Sequence, residues 1–174
     1  MLGRPQDFEH ISSVVDLGAN VGVFTIYYLS VNPEGIAWSI ETQPALIDSL
    51  RRNLLANGMQ GRCHVINAFV GAATTDWAIE FCKNNPEVPS LDIVGLMDKA
   101  ASVDFLKCDI EGSEHSLFAN QPAWLGHVRR IVAEYHWTKK DGESLAESLN
   151  GAGFRTHMEG HGALGYVIAD RSLS

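Results

Sequence analysis

A glycine-containing turn that follows a short apolar segment is the feature that most restricts the fold of this chain. Residues 11–17 (ISSVVDL) have the apolar run of a buried parallel strand, and residues 18–22 (GANVG) follow at once. Residues 21–31 then carry apolar side chains at helical spacing, as far as Asn32 and Pro33. Glycines in such a turn let the backbone approach a ligand without a side-chain clash. The segment therefore predicts a strand, a tight turn and a helix, with a ligand at the turn.

The alternation of strands and helices continues along the chain. Six further strands are predicted at residues 36–40, 63–67, 103–109, 128–135, 154–158 and 164–169. Helices are predicted from residue 44 to the Asn57-Gly58 stop, at residues 91–99, between Gly112 and Pro122, and at residues 141–150. Residues 77–82 (WAIEFC) alternate weakly and predict an extra strand, residues 83–90 predict a mobile loop, and residues 159–162 predict a glycine-rich turn.

Strands that alternate with helices form a parallel sheet with right-handed crossovers, and two strands without a helix between them form a hairpin. We therefore expect an α/β fold in one domain, residues 1–174. Its Rossmann-like, seven-stranded sheet is mostly parallel, is flanked by helices and closes with a C-terminal antiparallel hairpin.

Composition excludes several function classes. The net charge of −8 at pH 7 argues against a nucleic-acid binder, which normally carries a basic stripe. No apolar run approaches the length of a membrane span, and the N-terminus lacks the apolar segment of a signal peptide. The three cysteines are too scattered for a disulfide framework or a CxxC metal site. We expect a cytoplasmic protein without a membrane span, either a monomer or a homodimer.

The spacing of the turn glycines limits the ligand. A dinucleotide-binding turn has the pattern GxGxxG and holds a pyrophosphate at the helix N-terminus. Here Gly18 and Gly22 are spaced GxxxG, and Asp16 lies two positions before Gly18. S-adenosylmethionine carries an ammonium, a carboxylate and a sulfonium but no phosphate. We therefore expect Asp16 to face its cationic methionyl end, directly or through water; a simple strand-to-helix turn is the alternative.

Residues at the ends of the next two strands are candidates for binding a nucleoside. Glu41 ends the second predicted strand, where a carboxylate can accept hydrogen bonds from both ribose hydroxyls. Folds that bind NAD share this feature, so it indicates a nucleoside rather than a methyl donor. Asn67 and Ala68, at the end of the third strand, are predicted to line an adenine pocket.

An acidic cluster follows the fourth predicted strand, at residues 107–114 (KCDIEGSE). A carboxylate at this position can orient a substrate hydroxyl, take its proton or hold a divalent cation. Alternatively, Asp109 caps the following helix while Glu111 and Glu114 complement its dipole. We assign Asp109 and Glu111 to catalysis and Glu114 to the helix, and we do not predict a metal requirement.

Two further residue types are candidates for contacting the acceptor. His136 follows the next strand on the same rim and has an unperturbed pKa near neutrality, so it is a candidate general base, with a structural role as the alternative. Trp77 and Trp137 are candidates for lining the acceptor site.

These segments together resemble the FkbM-type family of S-adenosylmethionine-dependent methyltransferases. The family pattern is DxGANxG, an acidic residue closely followed by proline, a helix ending in NxxxNG, and later KxDxEGxE. This chain has VVDLGANVG, IETQPALIDSLRRNLLANG and FLKCDIEGSEHSLF, with Thr42 where the family more often has a proline. The resemblance implies a class I methyltransferase fold and places Asp109 and Glu111 near the site of transfer, Asp109 also at the cofactor. It implies cofactor roles for Asp16, Gly18, Asn20, Gly22 and Glu41.

The sequence thus predicts methyl transfer from S-adenosylmethionine to an oxygen of a small-molecule or sugar-containing acceptor. Asp109 or His136 would remove the hydroxyl proton. The alternatives are an NAD-dependent oxidoreductase, against which the missing GxGxxG and the closing hairpin speak, and a catalytically silent cofactor-binding module. A nucleic-acid methyltransferase is a weaker alternative because the chain is acidic.

Overall fold

A computed structural model describes residue 8 and residues 10–136, 138–161 and 164–171 of the chain. Seven strands among these described residues form one sheet. They are β1 (Ser13–Leu17), β2 (Ile36–Glu41), β3 (Cys63–Asn67), β4 (Val103–Cys108), β5 (Val128–Tyr135), β6 (Arg155–His161) and β7 (Leu164–Asp170). The helices are α1 (Val23–Val31), α2 (Pro44–Ala56), α3 (Asp76–Asn84), α4 (Ile93–Ala100), α5 (Glu114–Phe118) and α6 (Lys139–Gly151).

The strand order in the sheet is β3-β2-β1-β4-β5-β7-β6. Strands β1 to β5 pair in parallel, whereas β7 pairs antiparallel with both β5 and β6. The chain runs outward from β1 to β3 and then returns to place β4 on the other side of β1. In open α/β sheets, ligands bind beyond the carboxyl ends of the strands at such a reversal. The predicted fold class and the closing hairpin are confirmed.

The segment predicted as an extra strand, residues 77–82, lies in helix α3, so that prediction was wrong. Thr75 begins the helix, because its hydroxyl accepts a hydrogen bond from the Ala78 backbone N–H at 3.1 Å. Ala78 is fully buried and its two neighbours are exposed. A helix that buries one residue per turn gives the same local pattern as a short strand that buries one face. Two backbone hydrogen bonds fix the loop after α3 to Phe69. The Phe69 N–H donates to the Pro89 carbonyl oxygen at 2.8 Å, and the Leu91 N–H donates to the Phe69 carbonyl oxygen at 2.7 Å.

The remaining predicted elements agree with the structure to within a few residues. Strand β6 continues to His161 and strand β7 begins at Leu164, so the strands occupy most of the turn predicted at residues 159–162. Residues 162–163 lie outside the described residues. Within the described part of the chain, no helix is long and apolar enough to cross a membrane.

Two hydrophobic clusters cover the two faces of the sheet. Neighbouring residues of a strand point to opposite faces, and in β1 Val14 belongs to one cluster and Val15 to the other. Helices α1 and α2 complete the first cluster with Tyr28 and Leu50 among others. The short α5 adds the fully buried Phe118 to the second. Because both faces are covered, the carboxyl edge of the central strands is the place left for a site.

Helix α2 offers two adjacent leucines that test this packing. Leu54 is 1% exposed and Leu55 is 64% exposed. Leu54→Ala should lower the free energy of unfolding by about 2–5 kcal/mol, because it leaves a cavity in the core. Leu55→Ala should change it by no more than about 0.5 kcal/mol. Urea denaturation of both variants measures the difference, and equal losses would mean that α2 packs through another face.

Candidate active site

A cavity of about 490 Å³ opens at the carboxyl ends of β1, β2 and β4. This volume lies within the range of about 300–1,000 Å³ that small-molecule sites usually occupy. Five of the residues predicted to bind cofactor contribute to its wall, namely Gly18, Asn20, Glu41, Ala68 and Asp109. Glu111, predicted to act in catalysis, and Trp77 also line it. The cavity therefore lies where the sequence placed the ligand.

The turn after β1 fits tightly between its neighbours. Gly18 has a φ of +77°, and a Cβ there would collide with the backbone carbonyl oxygen of Asp109. The backbone N–H groups of Gly18 and Ala19 donate to the Ile40 carbonyl oxygen at 3.0 and 2.9 Å. The turn is thus fixed to both β2 and the end of β4, which explains why this position needs glycine.

Gly22 acts in packing rather than in the cavity wall. Its φ is +90°, and a Cβ there would collide with the side chain of Leu50 on α2. Gly22 is buried and is not among the residues that line the cavity. Of the two glycines predicted to contact cofactor, Gly18 lines the cavity and Gly22 does not.

The Glu41 carboxylate is held by the backbone. Its Oε2 accepts a hydrogen bond from the Asn20 N–H at 2.9 Å, and its Oε1 accepts one from the Gln43 N–H at 2.8 Å. Each carboxylate oxygen has a second lone pair that can accept another hydrogen bond. Asn67 does not line the cavity; its side-chain amide donates to the carbonyl oxygens of Glu41 and Thr42 and so fixes this strand end. The carboxylate is therefore preorganised to bind a donor in the cavity.

The Asp16 side chain is fully buried and does not line the cavity. Its Oδ2 accepts a hydrogen bond from the Thr25 hydroxyl at 2.7 Å, and its Oδ1 lies 3.2 Å from the Lys107 ammonium nitrogen. Lys107 does line the cavity. Asp16 thus acts on the cavity through Lys107 instead of facing a ligand directly.

Lys107 joins the two central strands. Its Nζ donates to the Gly18 carbonyl oxygen at 3.0 Å and lies 3.7 Å from Oδ2 of Asp109, besides contacting Asp16. Burial acts to lower the pKa of Lys107, but the carboxylates of Asp16 and Asp109 outweigh it, and the net shift is upward. The side chain is therefore a fixed positive charge in the cavity wall. In the sequence, the KxD spacing of Lys107 and Asp109 was the one indication of this contact.

Asp109, Glu114 and His136 form a cluster on the same side of the cavity. The His136 Nε2 lies 3.7 Å from Asp109 Oδ1 and 3.7 Å from Glu114 Oε1. Glu114 is 2% exposed, and its Oε1 accepts a hydrogen bond from the Ile110 N–H at 2.9 Å. Burial raises the pKa of the Glu114 carboxyl, although backbone hydrogen bonds and His136 offset part of the shift.

Glu114 is the residue that sequence reasoning left out of the site. It begins helix α5, as expected of a residue that complements a helix dipole, but its carboxylate also reaches His136. Glu111, in contrast, is exposed and has a φ of +55°. The structure thus brings Asp109 and His136 together with Glu114, and leaves Glu111 on the cavity wall.

One wall of the cavity is aromatic. Phe69 is buried, and Trp77 is 45% exposed and stacks on Phe81 with ring centroids 5.4 Å apart. Such a surface suits a flat ring system. Trp137, the other tryptophan predicted to contact an acceptor, lies outside the described residues.

The contact between Lys107 and Asp16 provides a test of this arrangement. Lys107→Met should lower the free energy of unfolding by about 3–5 kcal/mol near neutral pH, because it leaves the buried Asp16 carboxylate without its cation. Adding Asp16→Asn should recover part of that loss. In a matched control, Lys139→Met removes an exposed pair with Glu143 and should cost less than about 1 kcal/mol. Urea denaturation measures these variants together with Asp16→Asn alone; a loss in the double variant equal to the sum of the two single losses would contradict the pairing.

Solved structures share the fold of this chain at low sequence identity. A precorrin-6y C5,15-methyltransferase from Geobacter metallireducens matches 93% of this chain and 81% of its own, with 16% identity and a TM-score of 0.61. An O-methyltransferase family protein from Burkholderia thailandensis matches with 12% identity and a TM-score of 0.60, over 95% of this chain and 52% of its own. TrmK of M. capricolum, solved with S-adenosylhomocysteine, matches with 12% identity and a TM-score of 0.57, over 96% and 66% of the two chains.

This chain therefore spans most of the first of these structures but only about half of the second. No curated protein matches the sequence. A family comparison is more specific: the methyltransferase FkbM domain matches residues 16–156, which contain the glycine turn, Glu41 and the acidic cluster. The predicted resemblance is confirmed, and the chain belongs to the methyltransferase FkbM domain family.

Proposed function

We propose that this protein transfers the methyl group of S-adenosylmethionine to an oxygen atom of a small-molecule or sugar-containing acceptor. The family is one of methyltransferases, for which S-adenosylmethionine is the methyl donor, and it favours methyl transfer over the NAD-dependent alternative. The observation that carries the proposal is one cavity with the preorganised Glu41 carboxylate in one wall and Asp109 in another. The first suits a nucleoside, and the second suits a group that loses a proton.

The residues present fit S-adenosylmethionine. The free lone pairs of Glu41 would accept hydrogen bonds from the two ribose hydroxyls. Ala68, Phe69 and Trp77 offer an apolar wall for the adenine ring. Gly18, which carries no side chain, lets the ligand approach the backbone where the methionyl part would lie, and the positive charge of Lys107 matches its carboxylate.

Asp109 is the proposed general base. When bound, S-adenosylmethionine supplies a methyl carbon activated by its sulfonium; the acceptor oxygen bonds to that carbon while the carbon–sulfur bond breaks and its electron pair stays on sulfur. The hydroxyl proton passes to Asp109, which lines the cavity, whereas the His136 Nε2 faces two carboxylates. Lys107 and His136, each 3.7 Å from a different oxygen of Asp109, hold its carboxylate in place. Their role is positioning.

Cofactor binding is tested first. Glu41→Gln should weaken the binding of S-adenosylhomocysteine by about 10–100-fold, because hydrogen bonds to a charged acceptor contribute about 1.5–3 kcal/mol. Titration calorimetry measures the affinity, and circular dichroism checks the fold. Glu34→Gln, which alters an exposed carboxylate in the loop before β2, is the control and should bind as the parent does. Binding of NAD but not of S-adenosylhomocysteine by the parent protein would overturn the proposal.

Turnover is tested with Asp109→Asn, which keeps the size of the side chain but removes its basicity. Methyl transfer from labelled S-adenosylmethionine into a pool of extracted small metabolites should fall about 10²–10⁴-fold, while S-adenosylhomocysteine still binds. Asp98→Asn, on the exposed end of α4, is the control. If the parent protein binds the cofactor product but labels nothing in pools rich in sugars and hydroxylated metabolites, a silent binding module becomes the better description.

A further inference from the structure

Three side chains from three separate elements direct one ligand atom each to a common point beside the cavity. Asp109 follows β4, Glu114 begins α5 and His136 follows β5. One oxygen of each carboxylate and one nitrogen of the imidazole all lie within 4.8 Å of one another. The Nε2 of His136 is 3.7 Å from each of the two oxygens.

These separations suit ligands of one metal ion. Two adjacent atoms that bind an ion octahedrally at about 2.1 Å are about 3.0 Å apart. The two separations of 3.7 Å from His136 Nε2 would have to shorten by about 0.7 Å on binding, and the two carboxylate oxygens lie within 4.8 Å of each other. The position of the ligand atoms is also well fixed, because the Glu114 side chain is 3% exposed and its Oε1 is held by the Ile110 N–H.

The charges around the cluster also favour a cation. Two carboxylates converge on one imidazole, and burying a charge is costly unless it is paired. Lys107 reaches Asp109, but its ammonium is shared with Asp16 and the Gly18 carbonyl. Within the described part of the chain, Glu114 forms an ion pair with His136. A divalent cation would neutralise both carboxylates and use the imidazole as a neutral donor.

We propose that Asp109, Glu114 and His136 bind one divalent transition-metal cation, with open coordination positions on the side of the cavity that Asp109 lines. Carboxylates suit Mn²⁺ and imidazole suits softer ions, so the mixed set favours Mn²⁺ or a similar ion over Mg²⁺. The sequence alone did not predict a metal requirement, and it assigned Glu114 to the helix. The use of the cation, which rests on the proposed function, is to bind an acceptor hydroxyl and make its proton easier to remove.

The experiment uses Mn²⁺ alone, without cofactor or acceptor. Electron paramagnetic resonance reports free Mn²⁺ during a titration, and the parent chain should bind one ion. His136→Gln and Glu114→Gln should each weaken binding at least about tenfold, since even loss of a group that only supports a ligand usually costs that much. His115→Gln is the matched control, because His115 lies 3.7 Å from a single carboxylate, Asp141, and should bind as the parent does.

The outcomes separate this proposal from the methyltransferase proposal. Parent protein that is folded by circular dichroism yet binds no Mn²⁺ at millimolar concentration would overturn the site, as would equal affinity in the parent and in folded His136→Gln protein. Protection of the parent by Mn²⁺, but not of His136→Gln, from thermal unfolding would support it. Binding of S-adenosylhomocysteine is measured in a separate titration, so either proposal can fail while the other stands.

Discussion

The Lys107 ammonium and its three oxygen partners hold together the place where the order of the strands reverses. At that place β1 and β4 lie side by side, and each ends at the cavity. Asp16 is fully buried, so the cation beside it is required in the folded protein, and the same cation fixes the Gly18 carbonyl and contacts Asp109. The pair of buried Asp16 and half-buried Lys107 therefore sets the shape of the turn after β1 and the position of the proposed base. The rest of the site depends on both.

Much of the fold follows from local patterns in the sequence. Buried parallel strands have short apolar runs, and Gly18 and Gly112 mark the ends of two of them. The helix at Asp76–Asn84 was harder to predict, because only Ala78 in it is fully buried and a weak alternation fits several periods. Its start depends on the Thr75 cap, a side-chain contact that a hydropathy pattern does not contain.

The site was predictable where a residue's backbone position decides its role. Glu41 ends β2 and Asp109 directly follows β4, so the topology alone carries their side chains to the cavity edge. Asp16 lies near the end of β1, yet its carboxylate contacts Thr25 and Lys107. A buried charge needs such partners, and they decide its orientation. Glu114 was missed for the same reason. A glutamate at a helix start usually faces solvent, and its contact with His136 requires two elements that are distant in sequence.

The two carboxylates that line the cavity, Glu41 and Asp109, are held in place by different interactions. They should therefore respond differently to substitutions elsewhere in the protein. Glu41 is fixed by backbone amides, which no side-chain substitution elsewhere removes directly. Asp109 is fixed by the charges of Lys107 and His136, so substitutions at either partner reach it without touching the cavity itself. If the proposed function holds, binding at Glu41 should therefore be robust, whereas the orientation of a group at Asp109 should be sensitive to charge. We therefore expect substitutions near Asp109 to leave the Glu41 side of the cavity intact.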